Sequence, residues 1–118
     1  MQGELSDLPT KLRELIELAG EDTARRMTEM LVIEIQNVVP KILKLIEQSD
    51  FTSASIHAHS LAGVTASVGC LQLAQVARSL EFDLQAGHVD PARLSQLCSA
   101  AADAEAILHA FVIEANLE

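Results

Sequence analysis

The sequence predicts an all-α fold: an antiparallel up-down-up-down four-helix bundle with a short extra helix at its N-terminus. Three observations predict it. Apolar residues recur three and four positions apart along almost the whole chain. No segment alternates apolar and polar residues with the β-branched enrichment of a strand. The breaks between periodic segments are a few residues long and rich in Gly, Asp and Pro, which favours antiparallel neighbours over long crossovers. At 118 residues the chain holds one core's worth of sequence, since single cores are usually built from roughly 100 to 150 residues. One domain over residues 1–118, without a linker, is expected.

Leu8, Leu12, Leu15, Ile16 and Ala19 follow helical spacing and stop at Gly20, a suitable C-terminal capping residue. This is the short first helix, expected to lie across one end of the bundle. From Glu21 and Asp22, whose charges suit the positive end of a helix, Met27, Leu31, Ile35, Val38, Ile42, Leu45 and Ile46 form one long stripe. Pro40 falls inside that stripe and removes one backbone hydrogen bond, so a kink is predicted there and a true break stays open. Ser49-Asp50-Phe51-Thr52 is turn chemistry, after which a third helix is predicted from Thr52 or Ser53 to Val68, ended or interrupted by Gly69. Leu73, Ala77, Leu80 and Leu84 mark a fourth helix that closes at Gly87. Asp90 before Pro91 is a strong start signal, an N-cap acid followed by a proline in the first turn. The fifth helix is expected to bury Leu94, Leu97, Ala101, Leu108, Phe111 and Ala115.

Composition narrows the function classes. The net charge is −9, with only eight Lys and Arg scattered between Lys11 and Arg93, which argues against nucleic acid or an anionic membrane surface and for a protein partner. Three Phe, no Trp and no Tyr leave no stacking platform for bases or sugars. No stretch approaches the roughly 18 unbroken apolar residues of a membrane span. Met1-Gln2-Gly3-Glu4 is acidic, with neither the apolar core of a secretory signal nor the basic residues of a transit peptide. A soluble, cytoplasmic, monomeric protein without membrane contact in this segment is expected. Cys70 and Cys98 are isolated on apolar helical positions and are expected to act as small hydrophobes rather than as a redox pair.

The residues with most chemical promise lie on the third helix. Ala58-His59-Ser60-Leu61-Ala62-Gly63, then Ala66 and Gly69, set one histidine among very small residues. At about 100° per residue, Ala62, Gly63 and Ala66 come round to the side of His59, whereas Leu61, Val64 and Val68 gather opposite. His59 is therefore expected to point outward from a face stripped of bulk, and a neutral imidazole can serve as a nucleophile. A solvated surface histidine is the plain alternative. His57 lies about 200° away, on the side of Leu61, and is expected at the core edge with its ring nitrogen hydrogen-bonded. A separation of two residues also disfavours a metal site, because helical ligand pairs sit three or four residues apart. His88, in a turn, and His109, alone on the last helix, do not supply the missing ligands.

This pattern resembles the histidine-containing phosphotransfer (HPt) domain family. The family's motif is a histidine followed by leucine two positions on, lysine at three, glycine at four and a second glycine at ten. His59, Leu61, Gly63 and Gly69 fall on four of those places, and Leu73-Ala74 and Leu80-Glu81 are similar to the family's next helix. Ala62 departs from the motif, standing where the family usually carries the lysine or arginine thought to steady the phosphoryl group and meet the partner.

The resemblance implies a phosphorelay intermediate. His59 would take a phosphoryl group on Nε2 from a phospho-aspartyl receiver domain and pass it to another receiver. The implied partners are response-regulator receiver domains and, in some relays, a hybrid sensor histidine kinase. With no ATP-binding motif, acid/base pair or nucleophile triad, autokinase activity is not expected. Mg²⁺ is implied in the receiver's acidic pocket, with no cofactor bound by this chain. Glu81 stands where the family often has a polar side chain near the histidine. There it would hold the proton on Nδ1 and leave Nε2 free, or else be a solvated acid. The docking surface is expected on the exposed side of the third helix, with Ser55, Ala62, Gly63 and Ala66 in contact. The rival reading is an inert helical-bundle adaptor that binds receivers or other helices without phosphotransfer.

Overall fold

The computed structural model describes the backbone of residues 13–117 and the side chains of residues 13–110. All regular structure among them is helical. Residues 13–19 form α1, followed by α2 (Glu21–Glu47), α3 (Phe51–Ser67), α4 (Leu71–Gln85) and α5 (Pro91–Leu117). Helix α2 touches α3 and α5, and α4 touches the same two, so the four long helices close a ring in which α3 and α4 have the most extensive contact. Leu8 and Leu12 lie outside the described residues, as do the side chains of Phe111 and Ala115.

One apolar cluster fills the ring. Ile35, Ile42, Leu61, Leu73, Leu80, Leu97 and Leu108 are fully buried, and burying each such side chain is worth roughly 1.5–3 kcal/mol. Helix α3 contributes mostly alanines, Ala54, Ala58 and Ala62, which let α4 approach closely. On α2 the inner line runs through Ala24, Thr28, Leu31, Ile35, Val38 and Ile42, alternating steps of four and three. Met27, expected on that line, is half exposed, because successive steps of four drift by about 40° each away from the inner line. Thr28 takes the inner place, its hydroxyl donating to the Ala24 carbonyl at 2.7 Å.

The turns account for the boundaries. Helix α2 runs through Pro40 without a break; Pro40 and Gln36 are both exposed, so the carbonyl that the proline leaves unbonded faces water. Helix α3 begins at Phe51, earlier than Thr52 or Ser53, because the Asp50 carboxylate accepts the Ser53 N–H at 3.2 Å. It ends in a Schellman turn. Cys70 N–H donates to the Thr65 carbonyl at 2.8 Å and Gly69 N–H to that of Ala66 at 3.2 Å, which requires Gly69 at φ +89°. The same turn closes α2, with Asp50 N–H donating to Leu45 at 2.9 Å, but there Ser49 occupies the left-handed position at φ +61°. Asp90 caps α5, accepting the Ala92 N–H at 2.9 Å.

Cys70 is buried and Cys98 is exposed, so the apolar placement expected of both holds only for Cys70. Leu97 takes the inner position of that turn, and the next residue is rotated by about 100° off it. Among the described residues no helix is long and apolar enough to cross a membrane.

Candidate functional site

The three-residue connection Val68-Gly69-Cys70 sets α4 against α3 and brings Glu81 beside His59 across 22 residues of sequence. His59 Nδ1 lies 2.9 Å from Glu81 Oε2. The imidazole side chain is 75% exposed and the Glu81 side chain only 15%, so the ring stands in solvent while the carboxylate holding it is sheltered. An ionised carboxylate only accepts hydrogen bonds, which places the ring hydrogen on Nδ1 and the free lone pair on Nε2. Nε2 has no hydrogen-bond partner among the described residues. Gln85, one turn on from Glu81, donates from Nε2 to the same Oε2 at 3.4 Å. Sequence reasoning missed Gln85; its signal was the four-residue spacing from Glu81 on a helix.

The exposed face of α3 is rotated from the one that spacing about His59 alone predicts. Ile56, Ser60, Gly63, Val64 and Ser67 are exposed with His59, whereas Ser55 and Ala62 are buried. Both expected partner contacts are corrected on that ground. They lie about 40° and 60° from His59 on the side turned to α4, while Gly63 lies about 40° to the other side. The Ser55 hydroxyl is spent on the Thr52 carbonyl at 2.9 Å. His59 thus stands at the border between the open face and the α3–α4 seam, with Ala66, half-buried, on the same border. Val64, expected opposite His59 in the apolar group, is 43% exposed.

Gly63 sits one turn beyond His59, and a Cβ built on it meets nothing within 4 Å. The fold itself therefore does not require glycine here, and the missing side chain leaves open space beside the imidazole. Exposed Ile56, one turn before His59 on α3, and Phe82, next to Glu81 on α4, add apolar surface on this side.

The remaining titratable candidates stay apart from this site. His57 is half-buried, and His88 and His109 are exposed, on the turn after α4 and on α5. Among the described residues no three His, Cys, Asp or Glu side chains come together as a metal site. Burial pushes the Cys70 thiol up to about 11, so it is protonated near neutral pH and is no nucleophile.

A family model for the Hpt domain matches residues 26–110, a span that takes in His59, Glu81, Gln85 and most of all four long helices. No curated protein and no solved structure gives a match.

Proposed function

This chain belongs to the Hpt domain family, and from that premise we propose that it is a phosphorelay intermediate whose phosphoryl acceptor is Nε2 of His59. Hpt domains act in histidine phosphotransfer within two-component phosphorelays, as phosphocarriers. The observation that carries the residue assignment is the His59–Glu81 pair, an exposed imidazole whose Nδ1 is held by a sheltered carboxylate.

In the proposed step the Nε2 lone pair attacks the phosphorus of a receiver's aspartyl phosphate in line. The Nε2–P bond forms, the acyl P–O bond breaks, and the aspartate carboxylate leaves with the bonding electrons. No proton has to move. The ring keeps its hydrogen on Nδ1 and takes up positive charge opposite the Glu81 carboxylate, which stabilises it. In the onward step the carboxylate of a second receiver attacks the same phosphorus, the Nε2–P bond breaks, and the neutral imidazole returns. Such transfers depend on positioning and charge stabilisation more than on covalent help from the protein. Mg²⁺ belongs in the receiver's acidic pocket, and the chain itself acts as a carrier without autokinase activity.

For docking, the bare Gly63 beside His59 admits the rim of a receiver pocket, and Ile56 and Phe82 offer apolar contact with polar residues around them. We read the four long helices as running up, down, up and down in one monomeric domain, which keeps this face free. The test is incubation with a phosphorylated receiver and Mg²⁺. Acid-labile, base-stable label is expected on the wild type and none on His59→Gln. An unlabelled wild type would leave the inert adaptor as the function, and label on His59→Gln would move the acceptor elsewhere.

A further inference from the structure

A phosphoryl group on His59 would bring up to two negative charges to a site whose nearest ionic group is the Glu81 carboxylate, in a chain of net charge −9. Helix α3 carries no Lys, Arg, Asp or Glu at all. The place where the motif has its cation holds Ala62, buried in the helix contact. Within this chain a cation for the phosphoryl group can come only from another helix.

The cations of α2 and α5 are unequal to this. Arg25 and Arg26 both pair with Asp22 at the start of α2, and Arg93 donates from Nε to Asp83 at 3.1 Å. Lys41 and Lys44 belong to α2, which faces α3 on the side of Val64 and Val68, where these share a groove with Met27 and Leu31. That side is about 140–180° round the helix from His59.

Arg78 is different. It lies on α4 one turn before Glu81, is exposed, and pairs with no carboxylate among the described residues. It lines a groove on the α3–α4 seam with Ala66, Ala74 and Phe82, and Ala66 is on the same border of α3 as His59. Side chains three apart on a helix are neighbours, about 5–6 Å between Cβ atoms, so residue 78 stands beside the carboxylate that holds the His59 ring. The small Ala66 and bare Gly63 put no bulk in the path of a long side chain along this seam.

Resting on the phosphocarrier reading, we infer that Arg78 is the cation of this site, its guanidinium binding the phosphoryl oxygens once His59 is loaded. The planar fork of donors suits a phosphoryl group carrying its charge on three oxygens. In this chain the motif's cation has moved from α3, where position 62 is closed, to the facing turn of α4.

The experiment loads the full chain with potassium phosphoramidate, a small donor that bypasses any receiver, and follows phospho-His59 by ³¹P NMR against pH. A cation on the phosphoryl oxygens favours their dianion. Arg78→Ala is therefore expected to raise the pH at which the phosphoryl group loses its last proton by about one unit, a tenfold weaker hold on the dianion. Arg78→Lys should keep most of the wild-type value, and the difference between wild type and Arg78→Ala should shrink in 1 M salt, where an exposed charge pair is screened. A purely structural role for Arg78 would change thermal unfolding without producing this salt-dependent shift. Titration of wild type and Arg78→Ala at the same pH overturns the inference and leaves the carrier reading intact. A wild type that takes no phosphoryl group on His59 overturns both.

Discussion

His59 and Glu81, 22 residues apart in sequence, meet at 2.9 Å with the ring in solvent and the carboxylate sheltered by the α3–α4 contact. The pair leaves Nε2 as the nitrogen with the free lone pair, the one the proposed transfer uses. Glu81→Ala removes the acceptor for the Nδ1 hydrogen and is expected to slow transfer from a phospho-receiver by about 10- to 100-fold, the range for losing a partner that orients a reacting histidine. Nitrogen NMR of the ring checks the cause: the wild type should show the Nδ1–H tautomer, and the variant should gain Nε2–H. A slowed variant with an unchanged tautomer would assign the defect to something other than ring orientation.

Substitutions at Gly63 test the proposed docking role apart from stability. Because a Cβ there meets nothing, Gly63→Ala should stabilise the folded chain by about 0.5–1 kcal/mol, the ordinary gain of replacing glycine inside a helix. Gly63→Leu fills the space beside His59. It is expected to slow exchange with a receiver at least about tenfold, a barrier increase of about 1.4 kcal/mol or more for an ill-fitting contact. Loading by phosphoramidate, which needs no docking, should stay near the wild-type rate, and equal losses with both donors would contradict a docking role.

Ser49 holds a left-handed conformation, φ +61°, at a turn whose counterpart after α3 is Gly69. Side chains cost about 1–2 kcal/mol in that region, so Ser49→Gly is expected to stabilise the fold by about 1 kcal/mol and raise Tm by a few degrees. Thermal unfolding measures it directly.

The two cysteines should divide by burial. Iodoacetamide near pH 8 is expected to alkylate exposed Cys98 in the native protein and to reach Cys70 only on unfolding. Burial raises the Cys70 thiol from 9.0 to about 11. Between those values the folded chain keeps a proton that the unfolded chain has lost, so this group's contribution to stability falls as pH rises from about 9 to about 11. The loss should be on the order of 1–2 kcal/mol and should vanish in Cys70→Ala.

Periodicity and punctuation determined the helical fold, because burial of a stripe repeating near 3.6 residues leaves little other choice once Gly20, Asp50, Gly69, Gly87 and Asp90 mark the ends. His59 was legible for the same reason, as were Gly63 and Gly69 at their places in the motif. The rotation of α3 within the ring was not. Spacing about His59 groups Ser55 and Ala62 with it, but where a helix turns its faces depends on which neighbours press on it. Here the packing buries Ser55 and Ala62 and leaves Ile56 and Val64 in solvent. The meeting of Glu81 with His59, the support from Gln85 and the place of Arg78 on the seam were likewise decided by tertiary structure. Local sequence fixes angles along one helix, whereas the register between two helices is set by how their small residues let the backbones approach.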